Sequence, residues 1–189
     1  MRRIVAGLFV SLDGVYESPE RWHFPYFNEE MEESVTSQMA NSDAMLLGRV
    51  TYEEFAGYWP GQTSDGEAGE LADYMNDTPK YVVSTSLATT AWKNSTLIDG
   101  NRLGEELVRL KQQPGKDISM TGSGTLVRSM LHDGLLDELR ILVHPIVVGA
   151  GKRLFDGVDG QVPLKLVDSR TFSTGVLALT YQPDRDASA

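Results

Sequence analysis

Cysteine is absent from the 189 residues, which removes disulfide scaffolds, thiolate nucleophiles and thiolate metal ligands together. Histidine occurs three times, at His23, His132 and His144, too scattered for metal-ligand spacing, so no metal site is expected. No run approaches the roughly 20 apolar residues of a membrane span. The basic start, Met1-Arg2-Arg3-Ile4, runs into a segment interrupted by Gly7, Ser11 and Asp13 and not into the apolar stretch of a signal peptide. A cytoplasmic chain with no membrane partner is the expectation. Positive charge is also scarce. Seventeen Lys and Arg against 27 Asp and Glu leave a net charge of −10, which speaks against a nucleic-acid partner. A site for a phosphorylated ligand must therefore be locally basic within an acidic whole.

What is present fits a globular chain, with 41% apolar and 23% charged residues. The length suits a single domain over residues 1–183, with a frayed tail at 184–189. Ile4 to Val10 reads as a buried strand, followed by a polar and aromatic loop from Glu17 to Tyr26 placed where a lid would lie. A helix capped near Asn28 carries Phe27, Met31, Val35 and Met39 on one stripe. Strands at 43–47, 80–84, 97–98 and 118–120 then alternate with helices, which predicts right-handed crossovers and a largely parallel sheet. The last third differs. A long strand from Glu138 to Val148 precedes a hairpin, Leu164 to Phe172 and Val176 to Tyr181, turning at Ser173-Thr174-Gly175.

Ile118 to Leu126 organises the rest. An apolar strand ends at Met120, and Gly122-Ser123-Gly124-Thr125 leads into a helix. Free N–H groups at such a helix start carry partial positive charge and suit phosphate. The dinucleotide pattern G-x-G-x-x-G is incomplete, since Val127 holds its last position, and a ligand-free turn explains the segment equally well. Two further strand ends, Gly48-Arg49-Val50-Thr51 and Ser84-Thr85-Ser86, belong on the same carboxyl edge of a parallel sheet. There Arg49 suits bidentate phosphate binding, with Ser84 and Thr85 beside it. Gly149-Ala150-Gly151-Lys152 is not a P-loop, because Arg153 replaces the required hydroxyl residue and Ile146 the first glycine.

Four segments in this order resemble the dihydrofolate reductase superfamily: Ser11-Leu12-Asp13-Gly14, Gly48 to Glu53, Thr121 to Leu126, and His144-Pro145 through Leu154-Phe155. The likeness runs from Ile4 to Tyr181 and is strongest toward the branch that contains the reductase domain of bacterial riboflavin biosynthesis. It implies a three-layer α/β fold, a mostly parallel central sheet with antiparallel C-terminal strands, and an NADPH groove. Arg49 with Ser84 and Thr85 would receive the adenosine 2′-phosphate. Gly48, Thr51, Gly122, Ser123, Gly124, Thr125 and Leu126 would hold the pyrophosphate and neighbouring ribose. Ala6 and Val10 would lie beside the nicotinamide.

The chemistry that this resemblance implies is hydride transfer to a small heterocycle, either a 5-amino-6-(5-phosphoribosylamino)uracil-like compound or a pterin. Dihydrofolate reduction proper, or NADP binding without turnover, stays open as an alternative. Asp13 is the first candidate for a catalytic polar group, because the riboflavin branch also carries an aspartate in this turn. Glu32 on the first helix is a candidate at the substrate, as are Trp22 and Trp59 as aromatic walls. No zinc deaminase segment is present, so only the reductase half of a bifunctional enzyme is represented. The apolar antiparallel strands suit a homodimer, as in that branch.

Overall fold

A run of eight residues with little polar content, Ile4–Ser11 (β1), takes the middle of the sheet because both of its faces can be covered. The computed structural model describes residues 1–66, 69–158 and 160–184, so the expected frayed tail lies outside the described residues apart from Asp184. After β1 the chain forms α1 (Glu29–Ala40), β2 (Ser42–Gly48), α2 (Arg49–Tyr58), α3 (Gly69–Asp77), β3 (Lys80–Ser84) and β4 (Ser95–Asp99). It continues through α4 (Leu103–Gln112), β5 (Asp117–Met120), α5 (Gly124–His132), β6 (Glu138–His144), β7 (Leu164–Thr171) and β8 (Leu177–Pro183).

Eight strands order as β4-β3-β2-β5-β1-β6-β8-β7. The first six are parallel, and β8 and β7 close one side antiparallel, as expected of this α/β fold. Having left β1, the chain builds β2, β3 and β4 outward and returns to insert β5 between β2 and β1. That return creates the switch point at which the carboxyl ends of β2, β5 and β1 adjoin.

The period of two divides the strand residues between two layers. Ile4, Ala6, Leu8 and Val10 of β1 join Ala44, Leu46, Ile118 and Met120 in a core closed by α4 and α5. Leu126, Val127, Met130 and Leu131 of α5 are all buried there, each contributing about 1.5–3 kcal/mol relative to exposure. Their burial fixes the start of α5 against the sheet. On the opposite face Met45 and Leu47 pack with Tyr52, Phe55 and Met75 from α2 and α3, while Met31 of α1 packs on Phe9 and Leu142. Asn28 caps α1, its side-chain oxygen accepting from the Met31 N–H at 3.0 Å.

Strand ends differ from expectation by one or two residues at β4, β7 and β8, and by more at β6. β6 stops at His144 instead of continuing to Val148. Pro145 has no N–H for the ladder, and the N–H groups of Val148 and Gly149 turn to the Asp13 carboxylate instead, at 3.0 and 2.9 Å.

Candidate functional site

Two helices start side by side on the carboxyl edge. Arg49 opens α2 directly after Gly48, and Gly124 opens α5 after Ser123; neither helix start is capped by a side chain. Their approach is tight. A Cβ at Gly48 would stand 2.7 Å from the Ser123 Cβ, and one at Gly122 would stand 3.1 Å from the Thr51 Oγ1. Gly122 also has φ of 154°, a backbone that side-chain-bearing residues rarely adopt, and the Gly122–Ser123 peptide is cis. Arg49 and the Gly122 turn therefore share one rim, and each helix start brings its first-turn N–H groups to it without a side-chain cap.

The third strand end contributes less than expected. Ser84 is buried, and its hydroxyl accepts from the Ser86 and Leu87 N–H groups at 3.1 and 2.9 Å, closing a turn. Thr85 is exposed, its methyl group packed near Gly100. Arg49 is exposed and its Nη1 lies 2.8 Å from Glu53 one turn along. Thr125 is exposed, its hydroxyl accepting from Arg128 Nη2 at 3.2 Å, whereas Leu126 is a core side chain that offers the rim only its backbone. Ala6 and Val10 likewise point into the α4/α5 core, away from the face where β1 presents Gly7 and Phe9.

That second face holds a cavity of about 310 Å³. Its floor is the sheet, with Ser119 and Thr121 following β5 toward the rim, Gly7 and Phe9 from β1, and Arg140 from β6. Val35, Gln38 and Met39 of α1 form one wall and Phe55, Trp59, Tyr74 and Met75 the other. Tyr16 lines the cavity and also packs on Gly124, so cavity and rim meet at this ring. The polar groups are few. The Tyr74 hydroxyl lies 2.9 Å from Ser42 Oγ and 3.3 Å from Ser119 Oγ, and the Gln38 Nε2 is buried without a hydrogen-bond partner.

Of the residues expected at a substrate, Trp59 lines this cavity and Trp22 and Glu32 do not. Glu32 lies off the buried stripe of α1 and is exposed. Trp22 is buried against His144, with ring centroids 5.2 Å apart, and its Nε1 donates to the Glu17 carbonyl. Asp13 is also elsewhere. Its carboxylate accepts from Ser11 Oγ at 2.7 Å and from the Val148 and Gly149 N–H groups, with Arg153 at 3.5 Å. The Ser11 hydroxyl and these N–H groups hold its pKa well below the ordinary carboxylate range, and the carboxylate ties the turn after β1 to the loop after β6. His23 and His144 sit in an aromatic cluster with Phe9, and burial lowers both imidazoles toward the neutral form. Gln38, Tyr16 and Arg140 are site residues that no sequence motif marks. The one available signal is Gln38, a long polar residue beside Met39 on an apolar stripe.

A mostly parallel sheet with an antiparallel closing hairpin, a split helix-start rim at the switch point and a cavity beside it define the dihydrofolate-reductase-like class of α/β proteins. Within that class the chain belongs to the RibD C-terminal domain family, which its residues 2–178 match. The Bacillus subtilis protein YyaP, itself uncharacterised, is 32% identical over 180 residues, 95% of this chain and 94% of its own. The Thermotoga maritima diaminohydroxyphosphoribosylaminopyrimidine deaminase/5-amino-6-(5-phosphoribosylamino)uracil reductase superposes with a TM-score of 0.69 at 15% identity, over 97% of this chain and 57% of that one. Enterococcus faecalis dihydrofolate reductase, solved with NADP(H), superposes with a TM-score of 0.62 at 14% identity, over 96% of each chain. Among the described residues no helix is long and apolar enough to cross a membrane, and no cluster of His, Asp or Glu is arranged to hold a metal.

Proposed function

We propose that this chain is an NADPH-dependent reductase that transfers a hydride to a small heterocycle seated in the cavity, of the 5-amino-6-(5-phosphoribosylamino)uracil or pterin kind. The observation that carries this reading is the pairing of two uncapped helix starts, at Arg49 and Gly124, on a rim that opens beside an aromatic cavity. Gly48, Gly122 and Gly124 let Ser123, Thr51 and Tyr16 approach the two helix starts closely, which supports a rim whose backbone N–H groups take a pyrophosphate. Thr51, Ser123 and Thr125 stand at the same place, with the backbone of Leu126. Arg49 and Thr85, both exposed, are the groups for a 2′-phosphate, while Ser84 acts by shaping the turn that presents Thr85.

When bound, the reduced nicotinamide supplies the hydride. The protein's part is to bind, orient and keep water out: Phe9, Tyr16 and Trp59 wall the cavity, and the backbone of β1 lines its floor. Dihydrofolate reduction of the usual kind is disfavoured, because no Asp or Glu is among the described residues that line the cavity. The exposed Leu166 and Val167 on edge strand β7 support a homodimer as the working assembly.

The test is a fluorescence titration with NADPH and NADH, followed by NADPH oxidation against pteridines and ribosylated aminopyrimidines. Tighter binding of NADPH, reduced roughly tenfold by Arg49→Ala while NADH is unaffected, is the expected result. Absence of dinucleotide binding overturns the reading, and binding without turnover makes the chain a non-catalytic relative. Sedimentation as a monomer overturns the dimer.

A further inference from the structure

Resting on the reductase reading, we infer that the substrate of this cavity is an uncharged ring without phosphate, recognised through the carboxamide of Gln38. The lining holds no Lys, His, Asp or Glu among its described residues, and its single charged side chain is Arg140. That guanidinium is already engaged, with Nε and Nη2 at 2.8 and 2.7 Å from one oxygen of Glu138. Glu138 also binds Arg3, which in turn pairs with Asp117, so the group as a whole is neutral. On the neighbouring loops Lys152 pairs with Glu17 and Arg153 with Asp13. Among the described lining residues a phosphate carried into this cavity finds no unpaired cation, and burying an unpaired anion against Phe9, Phe55, Trp59 and Met75 is unfavourable.

Gln38 supplies the recognition. Its carboxamide is folded over Gly7, where a Cβ would overlap it, and its Nε2 is enclosed with no hydrogen-bond partner. A buried donor left unmade is costly, so an acceptor on a ligand returns what the empty arrangement lacks. A carboxamide offers one donor side and one acceptor side. Rotation about its terminal bond presents both to a ring edge that carries an adjacent carbonyl and N–H, as a cyclic amide does. Ser119 and Thr121 on the floor and the flat aromatic walls complete a slot for a planar ring.

Calorimetric titration of the protein saturated with NADP+, which has no hydride to give, with lumazine, a neutral pteridine dione, and with 5-amino-6-(5-phosphoribosylamino)uracil decides the matter. Lumazine is expected to bind roughly tenfold or more tightly than the phosphorylated compound, and Gln38→Leu to weaken lumazine by about tenfold with NADPH affinity unchanged. Gln38→Met, closer in shape, serves if the leucine variant fails to fold. Equal or tighter binding of the phosphorylated compound, no binding of either, or lumazine affinity indifferent to Gln38 overturns the inference while NADPH binding stands. Loss of NADPH binding by the unaltered protein is a separate outcome that overturns the reductase reading itself.

Discussion

The ring of Tyr16 rests on the first residue of α5, so that a Cβ on Gly124 would run into Cζ, Cε1 and Cε2 of the phenol. One side chain on the segment that follows β1 thereby touches both the helix-start rim and the cavity. Gly124→Ala must push this ring aside and is expected to destabilise the protein by about 1–3 kcal/mol, the usual range for overpacking. In a Tyr16→Ala background the obstacle is gone, and alanine is the better helix former by about 1 kcal/mol, so the same change becomes neutral or stabilising. Urea denaturation of the unaltered protein, the two single variants and the double variant measures the coupling. Additive effects would mean that the ring does not seat on this turn.

The rim was legible in the sequence because it depends on backbone: glycines and small residues after apolar strands locate strand-to-helix turns, and parallel order puts them on one edge. The order of elements followed from periodicity for the same reason, and α5 carries the expected Leu126, Val127, Met130 and Leu131 face. The cavity was not legible. Which face of β1 a residue meets depends on whether it is odd or even, and Ala6 and Val10 fell on the core side while Gly7 and Phe9 fell on the open one. Asp13 and Ser84 were polar residues at the right strand ends, but their partners, Val148, Gly149 and Leu87, are backbone groups that no residue pattern announces. Trp22 shows the limit for aromatics, since its partner His144 lies at the end of β6, far along the chain.

Asp13 gives a prediction that separates holding from proton transfer. Its folded pKa is depressed by the Ser11 hydroxyl and by the Val148 and Gly149 N–H groups. A depressed carboxylate stabilises the fold above its unfolded pKa, near 4, and that contribution is lost as pH falls through the folded value. Asp13→Asn is therefore expected to melt several degrees lower at neutral pH, with the gap narrowing as the solution is acidified. Thermal scans across acid pH check this. An equal melting temperature at neutral pH, paired with a lost limb in a pH–rate profile, would instead make Asp13 a proton carrier.

Lys80 is fully buried, its ammonium donating to the carbonyls of Asn76 and Thr78 at 3.0 and 2.7 Å and lying 4.2 Å from the centroid of the Trp92 ring. Burial lowers its pKa from 10.5 to about 8. The folded protein therefore releases this proton before the unfolded chain does, so stability rises between pH 8 and 10.5 and the gain disappears as pH falls through about 8. The full excursion is on the order of 3 kcal/mol. Unfolding free energies measured over that interval should climb in the unaltered protein and lack this rise in Lys80→Met. A flat profile in both would show the ammonium to be solvated.

Gly48 tests the rim without touching a charge. Its missing Cβ would stand 2.7 Å from the Ser123 Cβ, an atom fixed to backbone that cannot swing away as a long side chain can. Gly48→Ala must therefore part the starts of α2 and α5, at a cost of about 1–3 kcal/mol in stability. If those starts jointly hold a pyrophosphate, NADPH affinity falls as well, by roughly tenfold or more, since the N–H groups no longer converge on one point. Ser123→Gly removes the obstructing atom and should restore both quantities. Gly57 lies within α2, and a Cβ there would meet nothing within 4 Å. Gly57→Ala should therefore stabilise the helix by up to about 1 kcal/mol and leave NADPH binding unchanged. Normal dinucleotide affinity in a folded Gly48→Ala variant would remove the two helix starts from the binding site.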